Sequence, residues 1–412
     1  MLINSILSQT QFQLEFVSFF TPCPVCVSSD KVDPKIFISL NKSRQSSLPP
    51  FLRYGTVLCL TVYMTFLFFN GLCHSTSPHI DVKVKASATI FSILFPITCF
   101  LMVTTWFTDS SDFVTLLNLF LTYERNRWGK ERSGREEEIF GRWQSLLKVL
   151  VGLFGFGFSL VCPLSLTLLN ILEPDRLPFI GSIMPQLECG DSLERKIVIF
   201  WGHFCVIVFQ TWQHYALVPS YILTTANFFV ATILSLCAYM GEIMRRLDHS
   251  DILTMDLAYI FELRQLKILE SQINATFRRI LLPGTFFMFT FANVVTNFLC
   301  TTYGATILSN VGHVIFFVIC LETLVGILCL GTLSGMVNKK SKILLRKLKQ
   351  CGSVVGADGI VDRLSSKIFK KGVRGSAPLK IRFGSNFVDI LTPLVMMSFC
   401  VKLTVRLILL QD

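Results

Sequence analysis

Charge is what this sequence has least of. Only 16% of its 412 residues are Asp, Glu, Lys or Arg, against roughly a quarter in an ordinary soluble domain. Hydrophobic residues make up 52%, with 38 phenylalanines, and mean hydropathy is +0.58. So few polar side chains cannot cover a water-facing surface, which argues against a string of soluble domains and for a chain that faces lipid. Motifs that carry chemistry are scarce too. No GxSxG, HExxH or paired acids fall within the apolar runs, which argues against an intramembrane enzyme. The 14 cysteines are scattered and the one CxxC, Cys23-Pro-Val-Cys26, stands alone without histidines at zinc spacing, so they read as small apolar side chains. No metal, no cofactor and no catalytic residue is expected. Residues 1–20 lack the basic start and small-residue cleavage site of a secretory leader.

Long uncharged runs are present instead. A helix crosses the hydrocarbon layer with about 20 apolar residues, and lipid leaves no unpaired backbone, so such runs must be helical. The expected fold is an all-α membrane protein with seven transmembrane helices, at about 54–73, 86–107, 149–172, 212–240, 280–303, 311–337 and 387–410. Residues 1–53 form a segment ahead of a seven-helix unit over 54–412. The fourth run, Ile197–Met240, is long enough for two spans with a turn near His214–Pro219, or for one helix standing proud of the bilayer. Charge decides. Seven spans with a cytoplasmic N-terminus and an extracellular C-terminus put 31 of the 38 Lys and Arg inside, as the positive-inside rule demands; an eighth span would move the richest loop outside. The sequons at Asn41 and Asn274 then face the cytoplasm and stay unglycosylated.

Leu253–Arg279 shows the three- and four-residue spacing of an amphipathic helix packing on its neighbours. Asn338–Arg382 reads as a basic, Gly/Ser-punctuated loop near anionic headgroups; no nucleic-acid partner is expected. Glu173–Lys196, with three prolines, suits a lid or a plain linker.

The chain closes on Thr404-Val-Arg-Leu-Ile-Leu-Leu-Gln-Asp412. This resembles the signature that ends arthropod (insect-type) gustatory receptors: Thr-Tyr, five apolar residues, Gln-Phe. Thr404 and Gln411 stand at the matching places, while Val405, Arg406 and Asp412 depart from the pattern. Leu263-Arg-Gln-Leu and Ile273-Asn-Ala-Thr-Phe277, with Tyr303, are similar to the same family, as is the cytoplasmic N-terminus. The resemblance implies a plasma-membrane, multi-pass chemoreceptor of sensory neurons, a homo- or hetero-tetramer with other receptor subunits. Its seventh helices would line a ligand-gated, non-selective cation pore, and each subunit would hold a small-molecule tastant in its outer half. An odorant receptor of the same architecture is the alternative. A G-protein-coupled receptor fits less well, because Tyr123-Glu124-Arg125 follows the second span and no Asn-Pro-x-x-Tyr occurs in the last.

On that reading Thr404, Val405, Ile408, Leu409, Gln411 and Asp412 line the pore. Val405 and Leu409, four apart, share one face where apolar rings close a channel by dewetting. Ordinary helix packing and a frayed end would account for the same residues. Lys402 and Arg406 would repel cations from a pore, so they are expected to face away from it, one pairing with Glu322 of the sixth span or both snorkelling to headgroups. Asn170, Trp212, Gln213, His214, Tyr221, Asn297 and His313 are the candidate ligand contacts, because aromatics with a few polar groups suit a small amphipathic molecule.

Overall fold

The computed structural model describes residues 2–21, 25–29, 36–40, 50–108, 110–128, 134–153, 159–185, 192–249, 258–308, 313–354 and 363–410. Cys23, Asn41, residues 253–257, Gln411 and Asp412 lie outside them. Helix dominates, and the chain traverses one bundle repeatedly. Among the described residues six helices are long and apolar enough to cross a membrane, and a shorter apolar helix, Ser159–Leu172, accompanies them.

The order begins with α1 (Leu2–Phe20) and an antiparallel pair, β1 (Val25–Ser29) and β2 (Ile36–Leu40). There follow α2 (Pro50–Ser75), α3 (Val82–Val103), α4 (Ser110–Trp128), α5 (Gly134–Gly152) and α6 (Ser159–Leu172). Next come α7 (Leu193–Ile222), α8 (Ala231–His249), α9 (Ala258–Phe277), α10 (Leu281–Leu308), α11 (Val314–Val354) and α12 (Arg363–Arg374). A two-residue-strand hairpin, β3 (Arg382–Phe383) and β4 (Asn386–Phe387), precedes α13 (Thr392–Leu409). Its turn sets Gly384 at φ 55°, the positive value that a two-residue hairpin loop requires.

The fourth run is one helix, not two. α7 and α8 are joined by a π-helical stretch, Leu223–Val230, into 57 continuous residues from Leu193 to His249. At 1.5 Å per residue that is about 85 Å, far beyond a hydrocarbon layer of about 30 Å. The expected span 212–240 is therefore only its middle. Pro219 cannot donate to the preceding turn, and the π stretch that follows widens the helix where the regular ladder is interrupted.

Within the expected third span, 149–172, α5 runs to Gly152 and α6 begins at Ser159; residues 154–158 lie outside the described residues. One other expectation is corrected. The helix of the sixth span does not stop at 337. α11 continues as one helix to Val354, so the first part of the basic stretch 338–382 is helical, and α12 adds a second helix there. Lys, Leu and Arg are good helix formers, which the reading of a glycine-punctuated loop overlooked. Part of the segment 1–53 packs on the bundle. α1 buries Leu2, Ile3, Ile6, Leu7, Leu14 and Val17, a three- and four-residue rhythm, against α4, α5, α7 and α8.

One end of the bundle is tied by charge. Glu262 of α9 meets Arg127 of α4 at 2.9 Å and Arg246 of α8 at 2.6 Å. Asn274 clamps the segment leading to α13: its Nδ2 donates to the Lys380 carbonyl at 2.9 Å and its Oδ1 accepts from the Arg382 amide at 2.8 Å. The base of α13 is also pinned to α11, where a Cβ on Gly335 would stand 2.5 Å from the Ile390 nitrogen.

Candidate functional site

The site is a cavity of about 150 Å³ within the bundle. Five helices wall it. Phe91, Phe95 and Thr98 come from α3, Cys162 and Leu166 from α6, Tyr221 and Ile222 from α7, Met288, Phe289 and Ala292 from α10, and Glu322, Thr323 and Gly326 from α11. Spacings of three and four turn Phe91, Phe95 and Thr98 onto one face of α3, and Cys162 with Leu166 and Met288 with Ala292 onto one face of theirs. Ile222 and Val230 line it from either end of the π stretch, so the widened turn borders the cavity. Gly326 is needed there because a Cβ would enter the Phe289 ring. Phe91 and Phe95 lie 6.0 Å apart at 22°, offering stacked aromatic surface.

The wall is almost wholly apolar, and its hydroxyls are engaged elsewhere. The Thr98 hydroxyl donates to the Leu94 carbonyl at 2.7 Å, Thr323 to the Ile319 carbonyl at 2.8 Å, and Tyr221 to the Thr285 hydroxyl at 2.9 Å. Glu322 is the one carboxylate in the wall, which holds no basic residue. Its Oε1 is buried without a hydrogen-bond partner.

Of the seven candidate ligand contacts only Tyr221 lines this cavity. The others are held elsewhere. Trp212 donates through Nε1 to the Phe20 carbonyl of α1 at 3.1 Å. His214 is fully buried and stacks on Phe95 with ring centres 5.2 Å apart; Gln213 beside it is equally buried, and Asn170 nearly so. Asn297 belongs to a polar ladder between α10 and α11, its Nδ2 donating to Asn293 Oδ1 at 2.8 Å while Asn293 Nδ2 donates to the Thr323 hydroxyl at 3.2 Å. His313 pairs with Glu173 at 3.1 Å. Arg176 sits 5.2 Å from the Phe316 ring and 5.9 Å from the Phe91 ring, which makes the 173–185 segment a cap over the end of the bundle that Phe91 faces.

Sequence reasoning missed the α3 and α10 wall. Phe91/Phe95 and Met288/Ala292 at four-residue spacing were its only signal, and any buried helix shows the same. Of the two expected arrangements for Lys402 and Arg406 the pairing is absent: among the described residues no ion pair joins Glu322 to either, and both basic side chains are exposed, as snorkelling side chains would be. Nor do they face away from Val405 and Leu409. At 100° per residue, positions 402, 405, 406 and 409 share one side of α13, and all four are exposed. Thr404 is on the opposite side, buried, with its hydroxyl 3.4 Å from the Val294 carbonyl of α10. Thr404 is therefore turned toward α10, and Ile408, at the edge of the exposed side, is half-buried.

No protein-family model and no curated protein sequence matches the chain. Solved structures do. The insect olfactory receptor OR5 from Machilis hrabei, in complex with eugenol, aligns with a TM-score of 0.63 over 99% of each chain at 13% identity. A second structure of the same receptor aligns with a TM-score of 0.65 over 98% of each chain, again at 13% identity. The fold is that of the insect olfactory receptors. It is a likeness of architecture along the whole length, carried by helix order and packing where sequence identity has faded.

Proposed function

We propose that this chain is a subunit of a chemoreceptor channel of the plasma membrane, binding a small amphipathic molecule in the five-helix cavity and passing cations when it binds. The observation that carries the reading is the aromatic-walled cavity inside a bundle with the insect olfactory receptor fold. That a receptor of this fold was solved with eugenol supports a small organic ligand. The expected topology, N-terminus cytoplasmic and C-terminus extracellular, follows from the distribution of Lys and Arg.

Assembly around an axis, as a homo- or hetero-tetramer, would cover the outer side of α13. Val395, Phe399, Val405 and Leu409 are exposed there, a larger apolar surface than one helix of a lone subunit needs to present except to lipid or to a neighbour. The spacing of Thr404 and Gln411 supports the gustatory branch, and with it a tastant and a sensory neuron, over the odorant branch. The exposed face of α13 also favours a second reading. Lys402 and Arg406 have no acidic partner among the described residues, and repeated around a pore they would oppose cations. A subunit that binds ligand but conducts only beside a partner of different pore chemistry meets that difficulty.

Expressing the chain alone and with candidate partner subunits, and recording currents against a tastant and odorant panel, tests both. The expected result is a ligand-evoked cation current that Ala292→Trp, which fills the cavity, abolishes without loss of surface expression. A response untouched by Ala292→Trp would reject the cavity as the ligand site.

A further inference from the structure

Glu322 is an unusual wall residue. A carboxylate within a membrane bundle is costly unless it is paired or hydrogen-bonded. Here the bases that could have neutralised it, Lys402 and Arg406, are exposed on another helix. The hydroxyls that could have donated to it, on Thr98, Thr323 and Tyr221, are spent on other acceptors. Its Oε1 is left buried and unpartnered, in the wall of the cavity. The same cavity wall carries the rings of Phe91, Phe95 and Phe289 and the thioether of Met288. Aromatic faces attract cations as well as apolar bodies, so the wall offers one negative group and several aromatic surfaces to a single ligand.

We propose that the cavity takes an amphipathic amine, its ammonium paired with Glu322 and its apolar body held among Phe91, Phe95, Met288 and Phe289. This rests on the reading of the cavity as the receptor's ligand site and specifies its ligand class. Size agrees. A cavity of about 150 Å³ is the size known to admit a benzene ring, which limits the ligand to one ring or its aliphatic equivalent with a short amine arm. The ammonium supplies up to three donors to an acceptor-only carboxylate, and the pair forms away from water, where a charge-assisted hydrogen bond is about twice as strong as a neutral one.

The test compares 2-phenylethylamine with its neutral isostere 2-phenylethanol, using ligand-induced thermal shift and calorimetry on the full chain purified in nanodiscs. The wild-type chain is expected to bind the amine about 10- to 100-fold more tightly than the alcohol, the span of a hydrogen bond to a charged group. Glu322→Gln should erase that preference while the alcohol still binds, and retained alcohol binding shows that the variant is folded. Equal binding of the two compounds by the wild-type chain, no amine binding, or an amine preference that survives Glu322→Gln overturns the proposal. Ala292→Trp separates the two levels. If it abolishes alcohol binding while Glu322→Gln changes nothing, the cavity stands and the amine falls; if it changes no binding at all, both fall.

Discussion

The Tyr239 hydroxyl donates to Glu124 Oε1 at 2.7 Å. The same oxygen accepts the backbone N–H of Leu2 at 2.7 Å and of Ile3 at 2.9 Å. These amides are the first of α1, which have no intrahelical acceptor, and a carboxylate there also complements the helix dipole. Glu124, whose neighbours give the Tyr-Glu-Arg triplet a superficial likeness to a G-protein-coupled receptor motif, is thus an anchor: it fixes the start of α1 to α4 and α8.

Removing the anchor should cost stability in a graded way. Glu124→Ala leaves two amides and a hydroxyl without their acceptor in a buried place, a loss on the order of 3 kcal/mol. Tyr239→Phe removes one donor and keeps the two amide bonds, costing about 1 kcal/mol. Thermal midpoints in detergent, followed by size-exclusion fluorescence, should rank wild type above Tyr239→Phe and that above Glu124→Ala. Equal midpoints for all three chains would mean that α1 is held by its apolar face alone.

Gly335 should tolerate nothing larger. Its added Cβ would meet the Ile390 nitrogen at 2.5 Å and its Cα at 2.6 Å, and backbone cannot step aside as a flexible side chain can. Gly335→Ala is expected to push α13 from α11 and cost about 1–3 kcal/mol. Gly141 provides the control, since nothing lies within 4 Å of its added Cβ; Gly141→Ala gains helix propensity of up to about 1 kcal/mol. Thermal unfolding of the two variants side by side decides it, and a neutral Gly335→Ala would contradict the close approach.

His214 packs on Phe95 and does not line the five-helix cavity. Both ring nitrogens are buried without a hydrogen-bond partner, and the ring stacks on Phe95. Replacing it with Phe keeps the stack and removes two unsatisfied polar atoms, so His214→Phe should leave the thermal midpoint unchanged or raise it, with ligand response retained. A fall of more than about 1 kcal/mol, or loss of response with intact folding, would restore a polar role to this histidine.

Particular residues show how far the sequence could be read. The spans at Tyr54–Cys73 and Ile280–Tyr303 were legible because an unbroken apolar run in lipid has only the helix open to it. The amphipathic reading of Leu253–Arg279 is matched over Ala258–Phe277, for the same periodic reason. Tyr221 was found among the candidate contacts because it combines a ring with a hydroxyl. Phe91, Phe95 and Met288 were not, because an apolar side chain on an apolar helix carries no mark of whether it faces a cavity, a neighbour or lipid. Asn274 stood out as a sequon and within Ile273–Phe277, but neither reading showed that its amide joins α9 to the chain segment before α13.

What the sequence determined by itself was the solvent and the element type. Too little charge for water, runs of the length a bilayer needs and basic residues gathered into alternate connections left a multi-span helical bundle as the one arrangement that satisfies the backbone. What only tertiary structure decided was orientation about each helix axis. Packing turned Thr404 inward against α10 and Lys402 and Arg406 outward, and it set Glu322 against a cavity without a countercharge. Those outcomes depend on which neighbouring helix fills each face, a relation among residues far apart in the chain that local periodicity does not encode.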